Sequence, residues 1–290
     1  MEYNISGHTR LLALIGSPVG HSLSPAMYNY SFERLGLDYV YVAFDVDKEH
    51  TRDAIEAMRL FNMRGGNVTM PCKQAAAECM DFLSPAARII GAANTIVNDN
   101  GVMKGYITDG EGFVDNLKDH GISVAEKKIT VAGAGGAATA IEVQCALDGA
   151  RKLTILKRKN ATFERTVRMA ETIETEAPGT EVNVIDINDE ESKNAEVADS
   201  DIFVNATSVG MSPDSENESV IKDTSVLREG LVVADTVYNP LKTKLLADAE
   251  RNGCVTVDGK GMLLWQGVAA FKLFTGREMP VNEVKERYFS

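Results

Sequence analysis

The sequence predicts an α/β protein of two domains, the second of which is followed by helices. Strand-like and helix-like segments alternate from Arg10 to about Gly121. A short strand, a glycine-rich turn, a helix and a second strand then follow one another from Lys128 to Lys157. After Pro240 the pattern becomes helical. Such alternation is typical of sheets that carry helices on their faces.

Size and charge restrict the class of protein. The chain has 290 residues, enough for two domains of ordinary size. A net charge of −12 argues against a nucleic-acid partner, because binding phosphates needs an electropositive surface. No apolar run is long enough to span a membrane, and the amino terminus lacks the regions of a signal peptide. We therefore expect a cytoplasmic protein whose partner is neither nucleic acid nor a membrane.

Cysteine and histidine are too scattered for a metal site or a disulfide framework. The four histidines do not cluster, so no metal site is predicted. We expect the four cysteines to be reduced and mostly buried thiols. They are Cys72, Cys79, Cys145 and Cys254.

The period and length of the apolar segments predict the individual domains, strands and helices. We expect three regions: a substrate-binding α/β domain at 1–121, a Rossmann domain at 122–241, and C-terminal helices at 242–290 that pack back on the first domain. The apolar patterns predict strands at 11–15, 39–44, 65–70, 93–97, 128–132, 152–157, 182–187, 201–205 and 231–235. They predict helices at 25–35, 49–61, 136–148, within the acidic stretch 186–201, and at 244–252, 262–274 and from 282.

The glycine-rich turn has the features of a dinucleotide-binding turn. Gly133 permits a tight turn, Gly135 lets backbone amides approach a pyrophosphate, and Ala138 is small enough for close packing of helix and strand. The first turn of the helix presents N–H groups and the positive end of its dipole to the phosphates. An ordinary strand-to-helix turn would rarely need three glycines in four positions. The predicted cofactor contacts here are Gly133, Ala134, Gly135, Gly136 and Ala137.

The end of the second strand bears on the choice between NADP and NAD. An acidic residue there would bind the ribose 2′-hydroxyl of NAD. This chain has Lys157, Arg158 and Lys159 instead, which suit a 2′-phosphate. NADP is therefore favoured, with Lys157 and Arg158 as its contacts. The alternatives are NAD, or a basic run that is only solvated surface charge.

Two serines precede the first predicted helix. Ser22 and Ser24 flank Leu23 just before Pro25. Their hydroxyls could bind an anion together with the helix terminus, or they could simply cap the helix. The sequence leaves these two interpretations open.

A second polar group follows the strand that begins at Gly65. Asn67 and Thr69 share one face of that strand, and Lys73 lies just beyond Pro71. Lysine can move a proton at such a site, and we expect its partner to be Asp109, in a tight loop between glycines. Hydride loss from an alcohol carbon must be matched by proton loss from its oxygen, so the pair fits alcohol oxidation. Each residue alone is more often a surface charge.

Eight short motifs follow one another across nearly the whole chain. They are His21-Ser-Leu-Ser-Pro25, Asn67-Val-Thr-Met-Pro-Cys-Lys73, Gly91-Ala-Ala-Asn94-Thr, Thr108-Asp109-Gly, Gly133-Ala-Gly-Gly-Ala137, Asn205-Ala-Thr-Ser-Val-Gly-Met211, Val237-Tyr238-Asn-Pro240 and Asp258-Gly-Lys-Gly-Met-Leu-Leu-Trp-Gln266-Gly. In identity and order these motifs resemble the shikimate dehydrogenase family.

The resemblance implies oxidation of the shikimate C3 hydroxyl to 3-dehydroshikimate with a nicotinamide cofactor, in the pathway to chorismate and the aromatic amino acids. Lys73 matches the family's proton acceptor and Asp109 its partner at the substrate. Ser22 and Ser24 match the serines that bind the substrate carboxylate. The remaining matches are Asn67, Thr69, Asn94, Tyr238 and Gln266 around the substrate ring, and Thr236 and Gly259 near the nicotinamide.

Departures from the family pattern leave alternatives open. Lys157 to Lys159 replace the family's common Asn-Arg-Thr, and Ile107 stands where Asn is common before Thr108. The last motif also resembles the quinate/shikimate branch, whose members can use NAD. The alternatives are therefore a quinate or dual-substrate dehydrogenase and a dinucleotide-binding sensor without turnover. We expect a monomer or a homodimer.

Overall fold

A computed structural model describes residues 5–289. Residues 1–4 and Ser290 lie outside it, including part of the amino terminus in which no signal peptide is expected. Contacts divide the chain into two compact units. The first takes the chain as far as Thr108 and again from Gln266 onward, and the second is Asp109–Trp265.

The first unit contains a mixed sheet with strand order β2-β1-β3-β5-β6-β4. β1 pairs in parallel with β2 and β3, whereas β5 is antiparallel to both β3 and β6. Its strands are β1 (Arg10–Gly16), β2 (Tyr39–Asp45), β3 (Gly65–Val68), β4 (Phe82–Leu83), β5 (Thr95–Asp99) and β6 (Val102–Tyr106). Its helices up to Thr108 are α1 (Ser24–Leu35), α2 (Thr51–Leu60), α3 (Lys73–Ala77) and α4 (Pro85–Ile90).

The second unit contains a parallel sheet with strand order β12-β11-β10-β7-β8-β9. This is the order of a doubly wound dinucleotide-binding sheet, with its switch point between β7 and β10. Its strands are β7 (Lys128–Ala132), β8 (Lys152–Lys157), β9 (Glu181–Asp186), β10 (Ile202–Asn205), β11 (Val232–Asp235) and β12 (Val255–Val257). Its helices are α5 (Asp109–Asp119), α6 (Gly136–Leu147), α7 (Phe163–Glu176), α8 (Glu190–Asp199) and α9 (Lys244–Arg251), with a 3₁₀ turn at Thr224–Val226.

The last two helices are α10 (Gly259–Thr275), which begins in the second unit, and α11 (Val281–Tyr288). From Gln266 onward they fold with the first unit. The Tyr28 hydroxyl donates to the Gly267 carbonyl at 3.2 Å, and the Tyr30 hydroxyl donates to Glu283 at 2.9 Å. The predicted α/β class with a Rossmann sheet is confirmed. Of the helices predicted to return within 242–290, α11 and the part of α10 from Gln266 fold with the first unit, whereas α9 belongs to the second.

Each sheet is covered by apolar side chains on its faces. In the second unit Ile129 and Ile155 pack with Ile141 of α6, while Phe203 and Val233 pack with Leu245 of α9 on the other face. Strands buried on both faces read as continuous apolar runs, which is why this sheet could be recognised from sequence. All four cysteines are buried and unpaired. Within residues 5–289, none of the helices combines the length and apolarity needed to cross a bilayer.

One buried carboxyl group in the second unit has no hydrogen-bond partner. Glu142 of α6 is 1% exposed, and neither of its side-chain oxygens makes a hydrogen bond. Burial in this apolar site raises the pKa of Glu142 to about 8. The folded protein therefore keeps this group protonated at neutral pH, whereas the unfolded chain ionises it.

This difference predicts how stability varies with pH. Because the folded pKa lies above the unfolded value, the contribution of Glu142 is full at acidic pH and is lost as the pH rises towards about 8, by about 1.4 kcal/mol per pH unit. In chemical denaturation, Glu142→Gln should therefore gain stability over the wild type as the pH is raised from 5 to 8. The exposed Glu164→Gln is the matched control. A parallel pH dependence in wild type and Glu142→Gln would contradict the prediction.

Candidate functional site

Polar residues gather at one edge of the first sheet. β1, β3 and β6 end at this edge and β5 begins there, because Asn67 lies opposite Thr95 and Thr95 lies opposite Tyr106. Open α/β sheets bind ligands outside the carboxyl ends of their strands. The loops and helix starts at this edge carry Ser22, Ser24, Thr69, Lys73, Asn94 and Thr108.

Backbone hydrogen bonds fix Lys73 at the edge. It is the first residue of α3, and its carbonyl accepts the N–H of Ala93 at 2.9 Å, next to Asn94. The preceding Cys72 is buried, and its thiol donates to the carbonyl of Val46 at 3.3 Å. The backbone N–H of Thr69 bonds the Ile15 carbonyl at 2.8 Å. Lys73 itself is half-buried.

A buried hydrogen-bond network supports the same edge from below. The Tyr41 hydroxyl donates to Asn67 Oδ1 at 2.8 Å, and Asn67 Nδ2 donates to Thr95 Oγ1 at 3.1 Å. Asn94 Oδ1 accepts the backbone N–H of Thr108 at 2.8 Å. The Asn67 amide is thus bonded within the protein through both of its polar atoms, so its role as a substrate contact stays a prediction.

The two serines do not cap helix α1 with their side chains. The N-cap residue is Leu23, and the helix has no side-chain cap. Ser22 Oγ accepts the N–H of Ser24 at 3.2 Å, which closes a local turn. Both serines are half-buried. Neither serine is therefore the N-cap residue, although Ser22 bonds the N–H of the first helical residue, and anion binding stays a prediction.

Three further predicted residues of the substrate site lie on other elements. Asp109 is the first residue of α5 and not part of a tight loop, because the chain turns directly from Thr108 into the helix. An acidic side chain is favourable in a first helical turn. Tyr238 lies in the loop after β11 and is 53% exposed. Gln266 lies half-buried within α10.

The glycine turn between β7 and α6 contains two kinds of glycine. Gly133 has φ +124°, and a Cβ there would lie 2.7 Å from the Ala206 carbonyl oxygen, so the fold itself requires glycine. Gly135 and Gly136 are exposed, and a Cβ on either would meet no protein atom within 4 Å. Helix α6 has Gly135 as its N-cap and no side-chain cap. This open cradle of backbone N–H groups, with Ala134 and Ala137, fits the pyrophosphate of a dinucleotide.

The basic run at the end of β8 has an acidic neighbour. Lys157 is half-buried, and Arg158 and Lys159 are exposed. Asp186, at the end of β9, lies opposite Lys157, and its Oδ1 accepts the N–H of Lys159 at 3.3 Å. The sequence analysis missed this carboxylate because it belongs to a strand 29 positions further along, and pairing register cannot be read from hydrophobic pattern.

The remaining predicted cofactor residues, Thr236 after β11 and Gly259 at the start of α10, lie against each other. A Cβ on Gly259 would lie 2.4 Å from the Thr236 carbonyl oxygen, so the start of α10 packs directly on this backbone. The structure thus brings the cofactor residues together at the carboxyl edge of the second sheet.

Known proteins match the chain over almost its full length. The profile of the shikimate dehydrogenase substrate binding domain matches residues 14–96, and that of the shikimate 5′-dehydrogenase C-terminal domain matches residues 259–287. The shikimate dehydrogenase (NADP(+)) of Listeria innocua is 47% identical over 285 residues, which cover 98% of this chain and 97% of the relative.

Solved structures agree. The shikimate 5-dehydrogenase of Listeria monocytogenes, in complex with shikimate and NAD, has a TM-score of 0.94 at 47% identity and covers 97% of each chain. The quinate dehydrogenase of Corynebacterium glutamicum, in complex with NAD, has a TM-score of 0.85 at 30% identity, covering 97% of this chain and 99% of the other.

The two kinds of glycine predict opposite effects of alanine. Gly133→Ala should lower the free energy of unfolding by about 2 kcal/mol or more, since it combines a left-handed φ with a backbone clash. Gly135→Ala should leave stability unchanged and weaken NADPH affinity about tenfold, or about 1.4 kcal/mol, because only a bound ligand would meet the new methyl group. Denaturation and calorimetric titration measure the two quantities. Unweakened NADPH binding by Gly135→Ala would show that the cradle does not hold the pyrophosphate.

Proposed function

Because the chain belongs to the shikimate dehydrogenase family, we propose that it catalyses the reversible, NADP-linked oxidation of the shikimate C3 hydroxyl to 3-dehydroshikimate. The observation that carries the proposal is the polar edge of the first sheet, where the Lys73 carbonyl accepts the N–H of Ala93, the residue before Asn94. The reaction belongs to the route to chorismate and the aromatic amino acids.

The substrate would bind through the loops of that edge. Ser22 and Ser24 lie at the uncapped start of α1, where hydroxyls and backbone N–H groups suit the substrate carboxylate. Thr69, Asn94 and Gln266 offer a hydroxyl and two amides to the ring hydroxyls, with Asn67 and Tyr238 as further contacts. A site lined by hydroxyls and amides favours a polyol, because such groups can exchange hydrogen bonds with the hydroxyls of the ligand.

Lys73 and Asp109 would handle the proton. Lys73 would accept the proton of the C3 hydroxyl, and Asp109 would bind the substrate by a hydrogen bond. When bound, NADP supplies the oxidant that takes the hydride from C3. The residues that would hold it are Gly133, Ala134, Gly135, Gly136 and Ala137 at the pyrophosphate, Lys157 and Arg158 at the 2′-phosphate, and Thr236 and Gly259 near the nicotinamide.

The net charge and the cysteines bear on the compartment and the partners of the enzyme. Four buried, unpaired thiols suit a reducing compartment, and a net charge of −12 does not suit nucleic acid. We place the protein in the cytoplasm, as a monomer or a homodimer.

NAD and quinate define a second candidate function. The carboxylate of Asp186 lies beside the basic run and would disfavour a 2′-phosphate, while a carboxylate in this region can accept a hydrogen bond from a free ribose hydroxyl. A solved relative is a quinate dehydrogenase with NAD bound. One substrate hydroxyl is readily accepted or rejected by small shifts of polar groups, so both acids need to be tested.

The first experiment is the initial rate of reduced-nicotinamide formation with shikimate or quinate, each combined with NADP or NAD. We expect the highest kcat/KM for shikimate with NADP. A higher value for quinate, or for NAD, would move the protein to the second candidate. Binding of NADP without turnover of either acid would leave only a dinucleotide-binding sensor.

The same assay includes Lys73→Met, which keeps the apolar stem and removes the amine. We expect its kcat to fall by about 100-fold or more, because proton transfer by a side chain contributes about that much. Its binding of NADPH should stay unchanged. Retained turnover would show that Lys73 is not the proton acceptor.

Two substitutions should move the cofactor preference in opposite directions. Arg158→Gln should lower the kcat/KM ratio of NADP to NAD about tenfold, because it removes a charge-assisted hydrogen bond to the phosphate. Asp186→Asn should raise the same ratio about threefold by removing a nearby negative charge. Arg165→Gln, on the exposed face of α7, is the control for a lost charge. Ratios that stay equal to the control in both variants would make the basic run mere surface charge.

A further inference from the structure

Two polar residues end neighbouring strands at the nicotinamide side of the second sheet. Asn205 ends β10 and Asp235 ends β11, and they lie opposite each other in the parallel register. Asn205 also lies opposite Ala132, the last residue of β7 before the glycine turn. A dinucleotide spans the switch point of such a sheet, with its adenosine half over β8. Its other half therefore lies over the ends of β10 and β11.

Asp235 is a buried carboxylate that accepts hydrogen bonds from neutral donors. It is 2% exposed. Its Oδ1 accepts from Asn205 Nδ2 at 2.9 Å and from the Val237 N–H at 3.0 Å, and its Oδ2 accepts from the Thr243 hydroxyl at 2.7 Å. A buried carboxylate is costly to keep, and hydrogen bonds to its ionised form offset part of that cost.

Through these bonds the side chain of Asp235 connects the loop after β10 with the loop after β11. Asn205 Nδ2 also donates to the Val209 carbonyl at 2.9 Å, and Asn205 Oδ1 accepts from the Thr207 hydroxyl at 2.7 Å, so the loop after β10 is bound to Asp235. Thr243 closes the loop after β11, because its hydroxyl oxygen also caps α9 by accepting the Leu246 N–H at 3.3 Å.

The loop after β11 carries residues that need this support. Tyr238 is more exposed than buried, so packing of its ring does not fix it and its place depends on the backbone. The Thr236 carbonyl lies against Gly259 with no room for a side chain between them. A shift of this backbone would therefore move both the loop and the start of α10.

We propose that Asp235 is a positioning residue, whose bonds to Asn205, Val237 and Thr243 hold the loops 205–209 and 236–243 in the arrangement that hydride transfer requires. The proposal rests on the proposed dehydrogenase function. A misplacement of about 1 Å can cost a factor of about 100 in rate. We therefore expect loss of Asp235 to affect kcat more than KM for NADP.

The test compares Asp235→Asn with Asp248→Asn. Asp248 is also 2% exposed, but it lies within α9 and pairs with Lys244 of the same helix at 2.7 Å. We expect Asp235→Asn to lower kcat about tenfold or more relative to Asp248→Asn. In the cofactor-free protein it should also speed amide hydrogen exchange in 205–209 and 236–243 selectively. Equal kcat in the two variants, or exchange that rises evenly over the unit, would overturn the proposal.

The hydrogen-exchange measurement separates this proposal from the proposed function. If the wild type oxidised no shikimate, selective loosening of the two loops would still support the role of Asp235 in holding them. If Asp235→Asn failed to fold, Thr243→Val and Thr243→Ser would decide. Serine keeps the donor to Asp235 and the helix cap, so it should retain kcat, while valine should lose it. Equal kcat for these two variants would overturn the proposal.

A pH profile gives an independent readout. Burial raises the pKa of Asp235 to about 6 against the opposing effect of its three hydrogen bonds, which come from the neutral groups of Thr243, Val237 and Asn205. Below that pH the protonated carboxyl can no longer accept all three bonds, so the wild-type kcat should fall. Asp235→Asn should not show this fall of kcat at acidic pH. The same fall of kcat in the variant would show that another group causes it, against the proposed role of Asp235.

Discussion

The second unit depends on the parallel pairing of β7 with β8 on one side and β10 on the other. The strands that follow β7 in sequence are first added on its β8 side and later on its β10 side, so the strand order reverses at β7. A crevice therefore opens above the carboxyl ends of β7 and β10. The same pairing places Ala132 level with both Leu156 and Asn205. The glycine turn, the basic run and the Asn205–Asp235 pair are therefore brought to one edge although they lie far apart in the sequence.

The sequence was most informative where a local rule governs the structure. Continuous apolar runs gave the parallel strands, and glycine spacing gave the turn before α6, because both depend on neighbouring residues. Asp186 and Asp235 could not be recognised in the same way. Asp186 lies in an acidic stretch that looks like solvated surface, and its relation to the basic run depends on the register of β8 and β9. The importance of Asp235 depends on a partner 30 positions earlier.

The first unit was harder to predict because its elements are short. Helices α3 and α4 have five and six residues, too few to show a period, and the antiparallel course of β5 leaves no mark in composition. Lys73 was nevertheless predicted as a site residue from its position after a strand and a proline, and the structure places it at the carboxyl edge of that sheet. The buried hydrogen bonds at this edge were not predicted, because the Tyr41–Asn67 hydrogen bond joins residues 26 positions apart.

The protonated state of Glu142 has a consequence for the heat of unfolding. At neutral pH the unfolding chain must release this proton to the surrounding buffer. A calorimeter then records the heat of buffer protonation together with the heat of unfolding, so the apparent enthalpy should depend on whether phosphate or an amine is the buffer. Unfolding of the cofactor-binding unit is thereby linked to the release of a proton from a single side chain on α6.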